Sequence, residues 1–325
     1  MSTGTLRDYP ATAILVGINV AVLLGMIATG GVSGIFSSSN LIRWGANVGP
    51  YTYSGEYWRL IMAGFIHGSF MHILFNMWCL WSLGQLSEKL FGSWITIAIY
   101  LLTGVGGAML SIFWNPSQFE VGASGAIFGL CGAILSGVKF GNVSLSAWQK
   151  RSITSSLIFF AGFNLYLGYN LPGIDNVCHI GGFITGLIFG VPLATANASG
   201  KKSFEWMTIV LAAAVMAALG ARVIGVKGEP IRLKMAALDE LQQQNYPEAI
   251  KLLEQETAKN PNDAKGHALL GNAYQLNGER DKAIAAYKTA VELNPNDQDA
   301  QEALQELEAM KALQENSPNK QPPPK

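Results

Sequence analysis

Charge is scarce over most of this 325-residue chain. Residues 1–227 hold 17 of the 44 charged side chains (11 Lys/Arg, 6 Asp/Glu), and residues 228–325 hold the other 27 (11 Lys/Arg, 16 Asp/Glu). Formal net charge is zero and no basic cluster stands out, which excludes nucleic acid as a partner. Cysteine is also scarce. Cys79, Cys131 and Cys178 lie in apolar stretches without paired spacing, so they make neither a disulfide framework nor a zinc site. Half of the residues are apolar, which excludes a disordered chain, and the uneven charge excludes a simple soluble enzyme. The chain joins two materials: about 230 charge-poor residues that belong in a bilayer and about 100 charge-rich ones that belong in water.

A bilayer core about 30 Å thick needs roughly 20 apolar residues in a helix. Seven stretches qualify, at about 11–28, 68–86, 94–114, 121–138, 153–170, 177–197 and 204–226. The first is not read as a cleaved signal, because a single Arg7, balanced by Asp8, precedes it and no small-residue cleavage site follows. Lys89 lies in the second connection, Lys139, Lys150 and Arg151 in the fourth, and Lys201 and Lys202 in the sixth; the third and fifth have no Lys or Arg. Positive charge stays cytoplasmic, so the N-terminus and the even connections are expected inside and the C-terminal domain outside. The long first connection, about 29–67, is then outside. Its Trp44, Tyr51, Tyr53, Tyr57 and Trp58 suit the membrane interface.

In residues 264–297, Leu270, Gly271, Tyr274, Ala283, Tyr287, Ala290 and Pro295 fall at tetratricopeptide-repeat spacing. Gly271 and Ala283 let two antiparallel helices approach, Tyr274 and Tyr287 fill the groove, and Pro295 ends the second helix. One 34-residue period upstream, Ala249, Asn260 and Pro261 repeat the pattern, with Leu253 in place of Tyr287. The first helix of that repeat, about 231–243, lacks the Gly and Tyr, and a helix at about 298–313 is expected to cap the array. Such a platform binds a protein or peptide. The closing SPNKQPPPK cannot pack.

Polar groups inside a span are costly, so each asks for a role. Three of the four histidines, His67, His72 and His179, fall at or just inside a span, and His72 and Asn76 share a helix face at i and i+4. Ser124 opens the fourth span within Gly122-Ala123-Ser124-Gly125, and His179 opens the sixth. Spans two, four and six all start outside, so His72, Ser124 and His179 share one shallow layer, with Asn76 a turn deeper. A serine hydroxyl becomes a nucleophile when a histidine takes its proton. An Asn amide, an imidazole N–H and the Ser124 N–H are the donors a developing oxyanion needs. Gly125, Gly129 and Ala133 on the fourth span, and Gly182 and Gly186 on the sixth, repeat every four residues and allow the backbones to touch. Asp175, four residues before His179, is expected in the wet outer loop rather than in a triad. Glu56 and Arg43 are read as loop-surface or headgroup contacts, Cys178 as a buried, inert thiol, and His267 as a surface or groove residue of a repeat.

With these residues the chain resembles the rhomboid intramembrane serine proteases over about residues 10–226. The motifs are Trp58-Arg59 in the first outer loop; His67-Gly-Ser-Phe-Met-His72-Ile-Leu-Phe-Asn76; Gly122-Ala-Ser124-Gly125; and His179-Ile-Gly-Gly182 with Gly186. The resemblance implies an all-α polytopic helix bundle of six core spans plus one. It implies Ser124 as nucleophile, His179 as base, and His72, Asn76 and the Ser124 N–H as the oxyanion hole. Trp58 and Arg59 would structure the first loop, His67 would be a supporting hydrogen-bonding residue, and Phe128 would stand where some bacterial members place a tyrosine over the base. The implied substrates are single-span membrane proteins cut near the outer end of their helix, with no metal or cofactor. The implied setting is a bacterial inner membrane. The expected domains are a cytoplasmic N-terminus at 1–10, the protease at 11–226, the repeats at 227–313 and a disordered tail at 314–325. A catalytically silent scaffold that binds membrane proteins is the alternative, and retention of both Ser and His argues against it. A channel or transporter is disfavoured because the polar groups occupy one layer instead of the full depth.

Overall fold

The computed structural model describes residues 8–141 and 143–315. Arg7, which enters the orientation argument, and the expected disordered tail from residue 316 onward lie outside the described residues. The described fold is all-α, with one isolated antiparallel bridge between Asn47 and Glu120. It divides into two compact units on either side of Gly225 and Val226.

The first unit starts with α1 (Pro10–Gly34), and three short helices follow: α2 (Ser38–Trp44), α3 (Gly49–Tyr53) and α4 (Arg59–Met62), the last running into a 3-10 turn at Ala63–Phe65. Then come α5 (Phe70–Phe91), α6 (Ser93–Trp114), α7 (Ser124–Phe140), α8 (Ala147–Asn170) and α9 (Asn176–Ala198), while α10 (Lys202–Gln242) runs from this unit into the next. Four of these, α1, α6, α9 and α10, are each long and apolar enough to cross a membrane. α4 with its 3-10 turn and α5 meet the same standard only when taken together, and they are bent by 93° at the break between them. Two of the seven expected spans fall short of that standard. α7 is apolar but has only 17 residues, because the chain enters it through a turn and Ser124 is its first residue. α8 is long enough but is diluted by Thr154, Ser155, Ser156, Asn164 and Asn170.

α7 is the centre of the first unit, buried along almost its whole length. Its neighbour α9 lies against it at backbone contact. A Cβ on Gly182 would stand 2.0 Å from the Gly125 carbonyl oxygen, one on Gly186 2.1 Å from that of Gly129, and one on Gly190 2.4 Å from that of Ala133. α6 closes on the other side of α9, where a Cβ on Gly107 would stand 2.7 Å from the Cys178 carbonyl. The small-residue spacing thus becomes a seam of backbone contact, into which the Ser136 hydroxyl and the Cys178 thiol reach. At the start of α1 the buried Glu88 carboxylate accepts from the N–H groups of Ala11 and Thr12 (2.9 and 2.8 Å) and from the hydroxyls of Thr12 and Ser93 (both 2.7 Å). A carboxylate at a helix N-terminus satisfies donors that the helix itself leaves open.

The first connection is a packed knot. Arg59 is 4% exposed, donates to the carbonyls of Ile42 (2.7 Å) and Ala46 (3.1 Å), and pairs with Glu56 at 2.7 Å. Its guanidinium also lies over the rings of Tyr51 and Trp58. Glu56 is therefore the partner of a buried arginine, not a free loop or headgroup contact.

The second unit contains α11 (Tyr246–Lys259), α12 (Ala264–Leu276), α13 (Arg280–Leu293) and α14 (Gln298–Glu315). The expected separate helix at about 231–243 is the last stretch of α10, which continues through Pro230. Its positions carry apolar residues at helical spacing, with Ala237 fully buried, so nothing there forces a break. Ala249, Leu253, Ala283 and Ala290 are fully buried, and a Cβ on Gly271 would stand 2.9 Å from the Tyr287 ring. The helix hairpins interlock through these small residues, as tetratricopeptide units do. α14 runs two residues past the expected cap.

Candidate active site

The turn before α7 is built around Gly122. Its φ of +122° lies where residues with side chains rarely go. A Cβ there would also stand 2.7 Å from the His72 ring and 3.4 Å from Asn76 Nδ2. Glycine is needed on both counts, and its bareness brings His72 and Asn76, one turn apart on α5, against the backbone leading to Ser124. The Gly122 N–H is held by the Ala63 carbonyl at 2.9 Å. Asn76 is buried and its Nδ2 has no partner among the described residues. It is an idle donor beside the serine turn.

Ser124 Oγ lies 2.8 Å from His179 Nε2. This hydrogen bond joins the first turns of α7 and α9, at the end of the glycine seam. Phe128, one turn after Ser124 on the same helix face, stacks on His179 with ring centroids 4.4 Å apart and planes 7° apart. The other ring nitrogen, His179 Nδ1, is buried and has no hydrogen-bond partner among the described residues.

Asp175 does not supply that partner. It caps α9: one carboxylate oxygen accepts from the Cys178 N–H (3.0 Å) and the other from the Ser111 hydroxyl (2.5 Å). It is half-buried and structured instead of lying free in a wet loop. The site is a Ser–His pair with an aromatic lid on the base and no carboxylate behind it.

His67 is buried and meets His72 edge-on at 5.0 Å. The Phe65 backbone lies within reach of its ring, although neither ring nitrogen makes a hydrogen bond of full geometry among the described residues. Gly125 is bare because the Cys178 thiol fills its side: a Cβ there would stand 2.7 Å from Sγ. Trp58 is half-exposed and its ring fills the space beside Gly45.

Sequence reasoning passed over Glu120. It is 3% exposed, accepts a hydrogen bond from the Cys178 thiol at 3.6 Å, and leaves its second oxygen without a partner. Burial pushes its carboxyl up to about 8; the Asn47 amide group and the Cys178 thiol offset this in part, and the Asp175 charge adds to it. The signal was there: it is one of only six acidic residues in the first 227 and lies four positions before Ser124.

The fold is a bundle of long apolar helices with a Ser–His pair held where two of them meet at backbone contact. The Rhomboid domain matches residues 54–196, which include every residue of that site, and a tetratricopeptide repeat matches residues 234–298. The chain thus carries a segment similar to the Rhomboid domain, and four of its described helices are long and apolar enough to cross a membrane. It is 29% identical over 290 residues to "Rhomboid protease GluP" of Bacillus subtilis, covering 88% of this chain and 55% of that protein. It is 38% identical over 150 residues to "RHOMBOID-like protein 4" of Arabidopsis thaliana (46% of this chain, 37% of that protein). It is 37% identical over 174 residues to "RHOMBOID-like protein 6, mitochondrial" of the same plant (52% of this chain, 54% of that protein). The chain spans about half, or less, of the length of these curated relatives.

Proposed function

We propose that this protein is an intramembrane serine endopeptidase acting on single-span membrane proteins. The observation that carries the reading is the 2.8 Å contact between Ser124 Oγ and His179 Nε2 inside a rhomboid fold. His179 takes the hydroxyl proton as Oγ attacks the scissile carbonyl. The tetrahedral oxyanion is met by the unpartnered Asn76 amide, the His72 ring and the Ser124 N–H, which opens α7 and has no acceptor from its own helix. The imidazolium then gives its proton to the leaving amine. Water, deprotonated by the same histidine, attacks the acyl-enzyme and frees Ser124. Phe128, stacked on the base, holds its plane where a triad would use a carboxylate.

The bare glycines around Ser124 favour a substrate strand that approaches backbone to backbone. The Lys and Arg residues of the even connections support a cytoplasmic face for those loops, hence a cut near the outer end of the substrate helix. We assign the protein to a bacterial inner membrane, with residues 1–10 cytoplasmic, 11–226 the protease, and the repeats of 227–313 outside, binding a protein or peptide on the side of the site. The test is labelling by a serine-reactive fluorophosphonate together with cleavage of a model single-span substrate. Wild type is expected to do both, and Ser124→Ala and His179→Ala neither. Cleavage that survives Ser124→Ala overturns the assignment.

A further inference from the structure

Glu120 belongs to no step of the mechanism above, yet it joins every element around it. Its backbone N–H and carbonyl pair with the carbonyl and N–H of Asn47, both at 3.0 Å. The Asn47 side chain is fixed in turn by donating to the Ala108 carbonyl of α6 (3.1 Å) and accepting from the Thr52 hydroxyl (2.7 Å). Glu120 is thereby anchored to the first connection and to α6, two residues before the turn at Gly122. Its side chain reaches the other way, to the thiol of Cys178, the residue before His179. That thiol is wedged between helices: a Cβ on Gly125 of α7 would stand 2.7 Å from Sγ, and one on Gly107 of α6 2.9 Å. The first turn of α9 is therefore gripped from two sides, by Glu120 through Cys178 and by Asp175, whose carboxylate is fixed on Ser111.

We propose that Glu120 is a positioning residue for His179, holding the first turn of α9 through the Cys178 thiol, and that its ionisation loosens the Ser124–His179 pair. The inference rests on the endopeptidase reading. The groups that face the Glu120 carboxyl are the Cys178 thiol from α9, the Asp175 carboxylate that caps α9, and Asn47 from the first connection. No cation is among them. The groups that bond or face the two carboxyls are a hydroxyl, a backbone N–H, a thiol and the Asn47 amide, all uncharged. A negative charge on Glu120 would sit buried, with one oxygen unpartnered, within the field of Asp175. The thiol hydrogen bond favours the charged form but does not offset burial beside Asp175, so the charge is relieved by drawing water or swinging away, and either movement releases Cys178. As the neutral acid, which burial favours up to about pH 8, the same side chain keeps its grip.

The experiment uses the full chain in liposomes, with cleavage of a labelled single-span substrate and the rate of fluorophosphonate labelling followed from about pH 6 to 10. Ser124→Ala serves as the blank. Wild-type kcat is expected to fall above about pH 8. Glu120→Gln copies the neutral acid, so it should match wild type near pH 7 and hold its rate through the alkaline range. Glu120→Ala should lower kcat about tenfold at every pH with KM little changed, because a base displaced by a fraction of an ångström loses rate and not binding. An alkaline fall that is the same in wild type and Glu120→Gln overturns the inference, as does a wild-type kcat in Glu120→Ala. If Glu120→Ala does not accumulate, the Glu120→Gln profile decides alone. A wild type that neither cleaves nor labels at any pH instead overturns the endopeptidase reading, and this inference with it.

Discussion

Replacing Gly182 with alanine adds one methyl group at the narrowest point of the α7–α9 seam. The new Cβ would stand 2.0 Å from the Gly125 carbonyl oxygen and 2.8 Å from its carbonyl carbon, where ordinary contact starts at 3.4 Å. The obstacle is backbone, not the end of a flexible side chain, so the two helices must part by about 1 Å. Gly125 follows Ser124, and Gly182 lies three residues after His179, so the parting falls directly on the 2.8 Å hydrogen bond of the pair. A misplacement of about 1 Å at reacting groups costs about a hundredfold in rate, or about 2.7 kcal/mol of barrier. Overpacking also destabilises the fold by about 1–3 kcal/mol. Gly182→Ala should therefore lower kcat about a hundredfold in liposomes with KM nearly unchanged, and slow fluorophosphonate labelling in parallel. Gly17→Ala on α1, where nothing lies within 4 Å of the added carbon, is the matched control and should cleave at the wild-type rate. A Gly182→Ala enzyme with wild-type kcat refutes the argument that this seam sets the Ser–His distance.

Phe128→Ala removes the ring stacked on His179 and should lower kcat roughly 3–10-fold, while Phe128→Tyr keeps the stack and should stay near wild type; a pH–rate series on both variants checks this. Asn76→Ala deletes the buried, unpartnered amide and should reduce kcat about 10²–10³-fold at unchanged KM, as read from single-turnover cleavage. In the second unit, burial raises the Glu256 carboxyl above its ordinary range against the offsetting pull of Lys234, with Asp263 beside them. A raised acid holds its proton more tightly in the folded state, so the Glu256 contribution is largest on the acid side and is lost as pH rises from about 4.5 toward neutrality, while Asp263, held low by Lys234 against its burial, contributes in the opposite sense at more acid pH. Hydrogen exchange over residues 246–293 of the intact chain, corrected for intrinsic rates, should show that loss, and Glu256→Gln should flatten it.

What the sequence makes legible is what repeats locally. Apolar runs of the right length locate seven helices because a helix in lipid satisfies its own backbone. Loop lysines and arginines align three of those helices in direction, and this alone puts His72, Ser124 and His179 in one layer. Glycines at four-residue spacing point to a seam before any contact is known. Two marks in the chain, polar residues at one depth and small residues at one spacing, converge on the same pair of helices, and the 2.8 Å contact lies where they meet. The boundary at 231–243 was illegible for the converse reason: α10 crosses Pro230 without a break, and nothing local separates the end of a membrane helix from the start of a repeat.

Partners distant in sequence are not legible, because no periodicity encodes them. Glu56 and Arg59 are only three residues apart, yet an exposed loop pair and a buried clasp read alike until the carbonyls of Ile42 and Ala46 close around the guanidinium. Asp175 stands four residues before His179, a spacing that suits a triad or a cap equally. Ser111, 64 residues away, decides for the cap by taking one carboxylate oxygen. With the other oxygen on the Cys178 N–H, nothing is left to orient the His179 ring from behind, and the task falls to Phe128 and to the tightness of the first turn of α9. A serine–histidine pair without a third member has to be held by packing. That requirement explains why the helix carrying the base turns glycine toward α7 along three successive turns, at Gly182, Gly186 and Gly190.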